Sequence, residues 1–185
     1  MKKSTREASV MWIRRLKNRV AVIIAVIWMA GCAGSYHPTS TPETVNGEKM
    51  LLGELVYEDI LHYFPKWKAQ DRQTRVDEKL VARLKRIDRP VELLCYLGTW
   101  CSDSRQGVPP MMKALQAANN PHIRIKLIGV DRDKIDPEFT APQHNIERVP
   151  TFILLQDGQE VARMVEYPQH DTFVEDLLEI LASNR

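Results

Sequence analysis

Cysteine is scarce in this chain, with three in 185 residues, at positions 32, 95 and 101. So few cannot staple a disulfide scaffold, and no two of them stand at C-x-x-C spacing. Glycine is equally sparse, eight in all. Neither a Gly-x-Gly pattern nor G-K-[ST] occurs, so no loop that would cradle phosphate can be read. The five histidines, at 37, 62, 122, 144 and 170, show no metal-ligand spacing with one another or with Cys101. The residues therefore call for no metal site and no cofactor. No apolar run reaches the ~20 residues of a spanning helix. Charge of one sign is also missing from most of the chain. The overall +2 arises because residues 1–31 hold seven basic side chains against one acidic, which leaves 19 basic and 23 acidic over the remainder. A mildly acidic body offers no electrostatic footprint for nucleic acid. No internal repeat is evident.

What is present begins with an N-terminal signal pattern. Basic residues run to Arg19, and an apolar stretch from Val20 to Ala30 follows. The stretch is about half the length of a membrane span, which suits an export signal over residues 1–31. Met29-Ala30-Gly31-Cys32 resembles a bacterial lipobox. That resemblance implies cleavage before Cys32 and lipid on its sulfur and new amino group, and several acyl chains anchor stably where one would be marginal. An uncleaved anchor with Cys32 as a bystander is the alternative. Ala33 after the cysteine, with no Asp, resembles lipoproteins sorted to an outer membrane. The expected location is the bacterial cell envelope, facing the periplasm, with membrane contact through the lipid alone. Residues 32–47 are rich in Ser, Thr, Pro and Gly and read as a flexible tether.

Residues 48–90 read as a helical extension packed on the core. Leu51, Leu55 and Ile60 suggest a first amphipathic helix, and Val76, Leu80, Leu84 and Ile87 a second, with Thr74, followed by Asp77, as its N-cap. The basic residues Lys79, Arg83, Lys85 and Arg86 suit a solvated helix surface. Tyr57, Tyr63, Phe64 and Trp67 form an aromatic cluster suited to holding the extension in place. Val91 to Leu97 is an apolar run fit for the middle of a sheet. Ser102 to Ala118 has helical character, interrupted at Pro109-Pro110, where an interior proline costs about 3 kcal/mol. Ile123 to Val130 is the next strand, which makes a parallel βαβ unit. A short helix before His144 is expected in the polar connection that follows. Thr151 to Gln156 and Glu160 to Val165, joined at Asp157-Gly158, form a β-hairpin. Asp171 can cap a last helix with Phe173, Leu177, Ile180 and Leu181 on its buried face.

The chemistry concentrates where the first of these strands meets its helix, in G-T-W-C-S-D-S at residues 98–104. A cysteine at a helix N-terminus faces unpaired N–H groups and the positive end of the macrodipole, both of which favour the reactive thiolate. The W-C-S-D-S stretch resembles the W-C-G-P-C motif of the thioredoxin superfamily. Pro109, eight residues after Cys101, matches the proline of that family's active-site helix. Val149-Pro150-Thr151 resembles its cis-proline segment. The resemblance runs from about Val91 to the C-terminus. It implies an α/β, thioredoxin-like fold, a central mixed β-sheet flanked by helices, for residues 91–185.

The resemblance also implies roles. Cys101 is the nucleophile, and Trp100 shields one side of its sulfur. Val149, Pro150 and Thr151 hold an extended substrate through the Val149 backbone. Ser104 stands where the resolving cysteine would be. Its hydroxyl can donate to the Cys101 thiolate or satisfy backbone groups of the first helical turn, and the two readings are balanced. Asp103 opposes the thiolate and Arg105 could offset that charge. Cys95 falls where the family carries a buried acid. A small core residue is the better reading there, and a second thiol is the alternative. The expected function is thiol–disulfide exchange of monothiol type on protein or small-thiol substrates, with an external thiol as reductant. The alternative is a non-catalytic module that binds an extended partner segment at the cis-proline groove. The peroxidase arrangement P-x-x-x-T-x-x-C is missing, since Thr99 stands at the wrong offset.

Overall fold

The computed structural model describes residues 36–183. In chain order the strands are β1 (Glu43–Val45), β2 (Glu48–Met50) and β3 (Gly53–Leu55), then β4 (Val91–Leu97), β5 (Ile123–Gly129), β6 (Thr151–Gln156) and β7 (Gln159–Val165). The helices are α1 (Tyr57–Tyr63), α2 (Pro65–Gln73), α3 (Glu78–Lys85), α4 (Ser102–Ala118), α5 (Thr140–Gln143) and α6 (Phe173–Ser183). β1 and β2 form a separate hairpin, and the other five strands make one sheet in the order β3-β5-β4-β6-β7. β4 runs parallel to β5, and the remaining pairs are antiparallel. The sheet is therefore mixed, flanked by helices, in an α/β fold of thioredoxin type.

Alternation along β4 sorts its side chains between two cores. Leu93, Cys95 and Leu97 enter the larger one, against Val108, Met111 and Ala114 of α4 and Leu177 of α6. Tyr96 points to the smaller one, with Ile128, Val130, Ala141, Ile146, Val149 and Ile153. This is the period-two pattern of a central strand covered on both faces. The β6–β7 turn places Asp157 at φ 52° and Gly158 at φ 77°, the left-handed pair that the tight hairpin requires.

Four expectations are corrected. Residues 48–56 are not helical. Gly53 to Leu55 pair with Leu127 to Gly129 as an edge strand of the main sheet, so of Leu51, Leu55 and Ile60 only Ile60 lies in a helix. An apolar residue every four or five positions fits a helix face, but here the chain spends those residues on a strand and the turn before it. Gly129 allows this, because a Cβ there would lie 2.2 Å from the Leu51 carbonyl oxygen. Next, residues 39–47 are not a loose tether. The Asp59 carboxylate accepts from Thr39 N, Thr39 Oγ1 and Ser40 N, at 3.2, 2.8 and 2.9 Å, and residues 43–50 are the β1–β2 hairpin. Then α6 is capped by Thr172, whose Oγ1 accepts from Glu175 N at 3.3 Å, while Asp171 donates its own N–H to Glu175 Oε2.

Last, the N-cap of α3 is Asp77, which accepts from Lys79 N at 2.7 Å, and not Thr74, which ends α2 with its Oγ1 donating to Gln70 O at 2.9 Å. Pro38–Arg185 forms one compact unit, and the core runs across residue 91: Leu51, Tyr57, Ile60, Trp67 and Leu84 share a cluster with β4 and α4. No helix among the described residues is long and apolar enough to cross a membrane. The export signal and Cys32 lie outside the described residues.

Candidate active site

β4 ends at Leu97, and four residues later the chain has turned into α4. Sites at the carboxyl ends of parallel strands, where neighbouring connections diverge, are where α/β sheets place ligands. Gly98 makes the turn possible, since a Cβ on it would meet the Trp100 ring at 2.6 Å. The ring folds back across the glycine and its Nε1–H donates to the Val130 carbonyl at 3.0 Å. Arg132 lies over the ring, with Cζ 4.6 Å from its centroid, and Glu48 of β2 grips that guanidinium at 2.7 and 3.2 Å. Trp100, next to Cys101 in the chain, is thus clamped by residues the sequence did not single out.

Cys101 is the N-cap residue of α4, with extended backbone at φ −82° and ψ 132°. Its own N–H donates to Gly98 O and its carbonyl accepts from Arg105 N, so the helix starts from it. The sulfur is partly exposed, and Sγ–H donates to the Val149 carbonyl at 3.3 Å. The Val149–Pro150 peptide is cis. Thr151 Oγ1 donates to Arg148 O at 2.7 Å, tying the turn before β6. Among the described residues the Val149 N–H has no hydrogen-bond partner. Cys101, Trp100, Val149, Pro150 and Thr151 therefore come together, with a free sulfur beside a free backbone donor.

Ser104 and Cys95 are placed differently. Ser104 is fully buried and its Oγ accepts from Gly98 N at 3.2 Å. Of its two expected roles the structure shows the backbone one. Cys95 is 0 % exposed, and burial alone pushes its thiol far above the ordinary range, so it stays protonated. Its side chain enters the core under α4, whereas Cys101 borders the smaller core on the other face of the sheet. Both cysteines are free thiols, and the core reading of Cys95 fits its surroundings.

Two supports went unread in the sequence. Trp67 of α2, 1 % exposed, donates Nε1–H to Thr99 O at 2.9 Å, and Leu51 N donates to Thr99 Oγ1 at 3.2 Å. The extension thereby holds the loop that carries Cys101. The available signal was a tryptophan in an apolar cluster, because a buried indole N–H needs an acceptor. Gly107 is the second. A Cβ on it would lie 2.6 Å from the Phe173 ring and 3.3 Å from Pro150, so the glycine lets α6 and the cis-proline turn close on α4. Among the described residues no group of three or more His, Cys, Asp or Glu side chains could hold a metal ion.

Comparison with known proteins agrees with this fold. A family model described as Thioredoxin matches residues 57–178. A thioredoxin of Chlamydia trachomatis is 30% identical over 82 residues, which is 44% of this chain and 74% of that protein. A thioredoxin of Staphylococcus aureus is 25% identical over 92 residues, 50% of this chain and 84% of its own. Among solved structures, a protein of unknown function from Pseudomonas aeruginosa superposes with a TM-score of 0.57 at 18% identity, over 72% of this chain and 94% of that one. That likeness concerns the fold.

Proposed function

Because the chain belongs to the thioredoxin family, whose membership supports a thiol–disulfide redox function, we propose that Cys101 performs thiol–disulfide exchange of monothiol type on protein or small-thiol substrates. The observation that carries this reading is the partly exposed Cys101 at the N-terminus of α4, its sulfur 3.3 Å from Val149 O, with no second accessible thiol beside it among the described residues. The Cys101 thiolate attacks one sulfur of a substrate disulfide. The S–S bond breaks, the other sulfur leaves as thiolate with the electron pair, and a mixed disulfide remains on Cys101. Ser104 cannot displace it, so a thiol from outside the chain attacks Cys101–S–S–R and takes the R group as a new disulfide, which regenerates the Cys101 thiolate.

The free Val149 N–H can hold the backbone of an extended substrate in line for the attack. Trp100, clamped by Arg132 and Val130, limits approach from one side. The lipobox-like segment supports a setting in the bacterial envelope, anchored through Cys32 at the outer membrane. The test is capture. The full chain is incubated with envelope proteins, thiols are quenched with acid, and disulfide-linked products are identified by mass spectrometry. Adducts on Cys101, released by added thiol and lost in Cys101→Ser, are expected. Partners retained by Cys101→Ser, with no adduct in the parent protein, would replace exchange by non-covalent binding at the Val149–Pro150 groove.

A further inference from the structure

On the helix that Cys101 begins lies a cavity that the exchange chemistry does not use. It has a volume of about 240 Å³ and sits between the first turns of α4 and the connection from β7 to α6. Its apolar surface comes from the buried Phe173, from Pro110 and from Gly107. Its lining includes Asp103, two residues after Cys101, and Asp171, two residues before α6. Tyr167, 62 % exposed, forms one wall, and its hydroxyl donates to Asp103 Oδ2 at 3.4 Å. Glu166 also lines the cavity, but Arg148 pairs with it at 2.5 Å. Among the described residues no basic side chain lines the cavity. The negative field is felt by Tyr167, whose hydroxyl is pushed above its ordinary range first by the charge on Asp103 and then by Glu166.

A long side chain with an apolar stem and a cationic head fits such a surface. The stem can lie on Phe173 and Pro110 while the head reaches Asp103, Asp171 and the open face of Tyr167. An acidic side chain would meet two like charges. Resting on the exchange reading of Cys101, we propose that this cavity selects substrates carrying a lysine or arginine next to the cysteine that is attacked.

The test uses three short peptides, each with one cysteine flanked by lysine, norleucine or glutamate and protected as its mixed disulfide with thionitrobenzoate. The Cys101 thiolate attacks the peptide sulfur. The bond to thionitrobenzoate breaks, and that group leaves as a coloured thiolate whose appearance gives the rate. With the full chain, the lysine peptide should react about threefold to fivefold faster than the norleucine peptide, the scale of a partly exposed ion pair. The glutamate peptide should be slowest. The lysine preference should shrink with added salt. It should fall toward unity in Asp103→Asn and Asp171→Asn, read as a rate ratio within each variant so that changes in intrinsic reactivity cancel. Equal rates for the three peptides, or a faster glutamate peptide, would overturn the inference and leave exchange standing. No reaction with any of them would remove the exchange reading and this one together.

Discussion

At the residue scale the site turns on the difference between Cys101 and Ser104, three positions apart on the first turn of one helix. Cys101 is reachable by solvent, and Ser104 is sealed and occupied by the Gly98 N–H at 3.2 Å. Replacing Ser104 by cysteine restores the spacing of a dithiol motif and weakens that one hydrogen bond. In Ser104→Cys a single turnover should then release the substrate thiol without added thiol and leave a disulfide between Cys101 and the introduced cysteine, which mass analysis of the acid-quenched protein would detect. Persistent dependence on added thiol would mean that residue 104 is too deep to reach the Cys101 sulfur. Ser104→Ala tests the structural half of the argument. It strands a buried N–H, at about 1–3 kcal/mol, and should shift the urea midpoint accordingly. The thiol at Cys95 gains nothing from either change, because its burial holds it protonated.

At the scale of elements, the reactive loop is fixed by residues that precede β4. Trp67 and Leu51 both bond Thr99, and Glu48 reaches Arg132 on the Trp100 ring. In Trp67→Phe the aromatic bulk stays and the donor is lost, so the buried Thr99 carbonyl loses a partner. The expected cost is about 1–3 kcal/mol. Exchange at Cys101 should slow as well, since the loop loses one of its two ties. Unchanged exchange kinetics alongside lowered stability would confine Trp67 to a structural role. These ties explain what the sequence could and could not reveal. β4, α4, β6 and the β6–β7 hairpin were legible because apolar runs, a cap position and an Asp-Gly turn are local signals. The strand at 53–55 was not, because three residues show no period and their partner, β5, lies over seventy positions away. Cys101, Trp100 and the Val149–Pro150 turn were legible through motif spacing. Trp67, Gly107 and Arg132 act through contacts that only the fold assembles.

At the scale of the whole molecule, the question is whether residues before Val91 are an accessory or part of the folding unit. Seven large side chains from that part enter the main core: Leu51, Leu55, Tyr57, Ile60, Trp67, Leu80 and Leu84, each at most 9 % exposed. Burial of such a side chain is worth about 1.5–3 kcal/mol, so together they contribute about 10 kcal/mol or more before chain entropy is charged. That matches the whole stability of an ordinary domain, about 5–15 kcal/mol. Two further ties cross the same boundary. Arg89 Nη2 donates to Leu181 O at 2.7 Å, and Asn120 Nδ2 donates to both Leu84 O and Ile87 O at 2.8 Å. Removing residues 1–90 would also bare the edge of β5 and the underside of α4, which invites aggregation. A chain of residues 38–185 should therefore unfold in one cooperative urea transition with native far-UV dichroism. A chain of residues 91–185 should show no such transition. A cooperative transition in the shorter chain would mean that the thioredoxin-like segment folds alone, and that the ties from Trp67 and Leu51 to Thr99 adjust the site without being needed to build it.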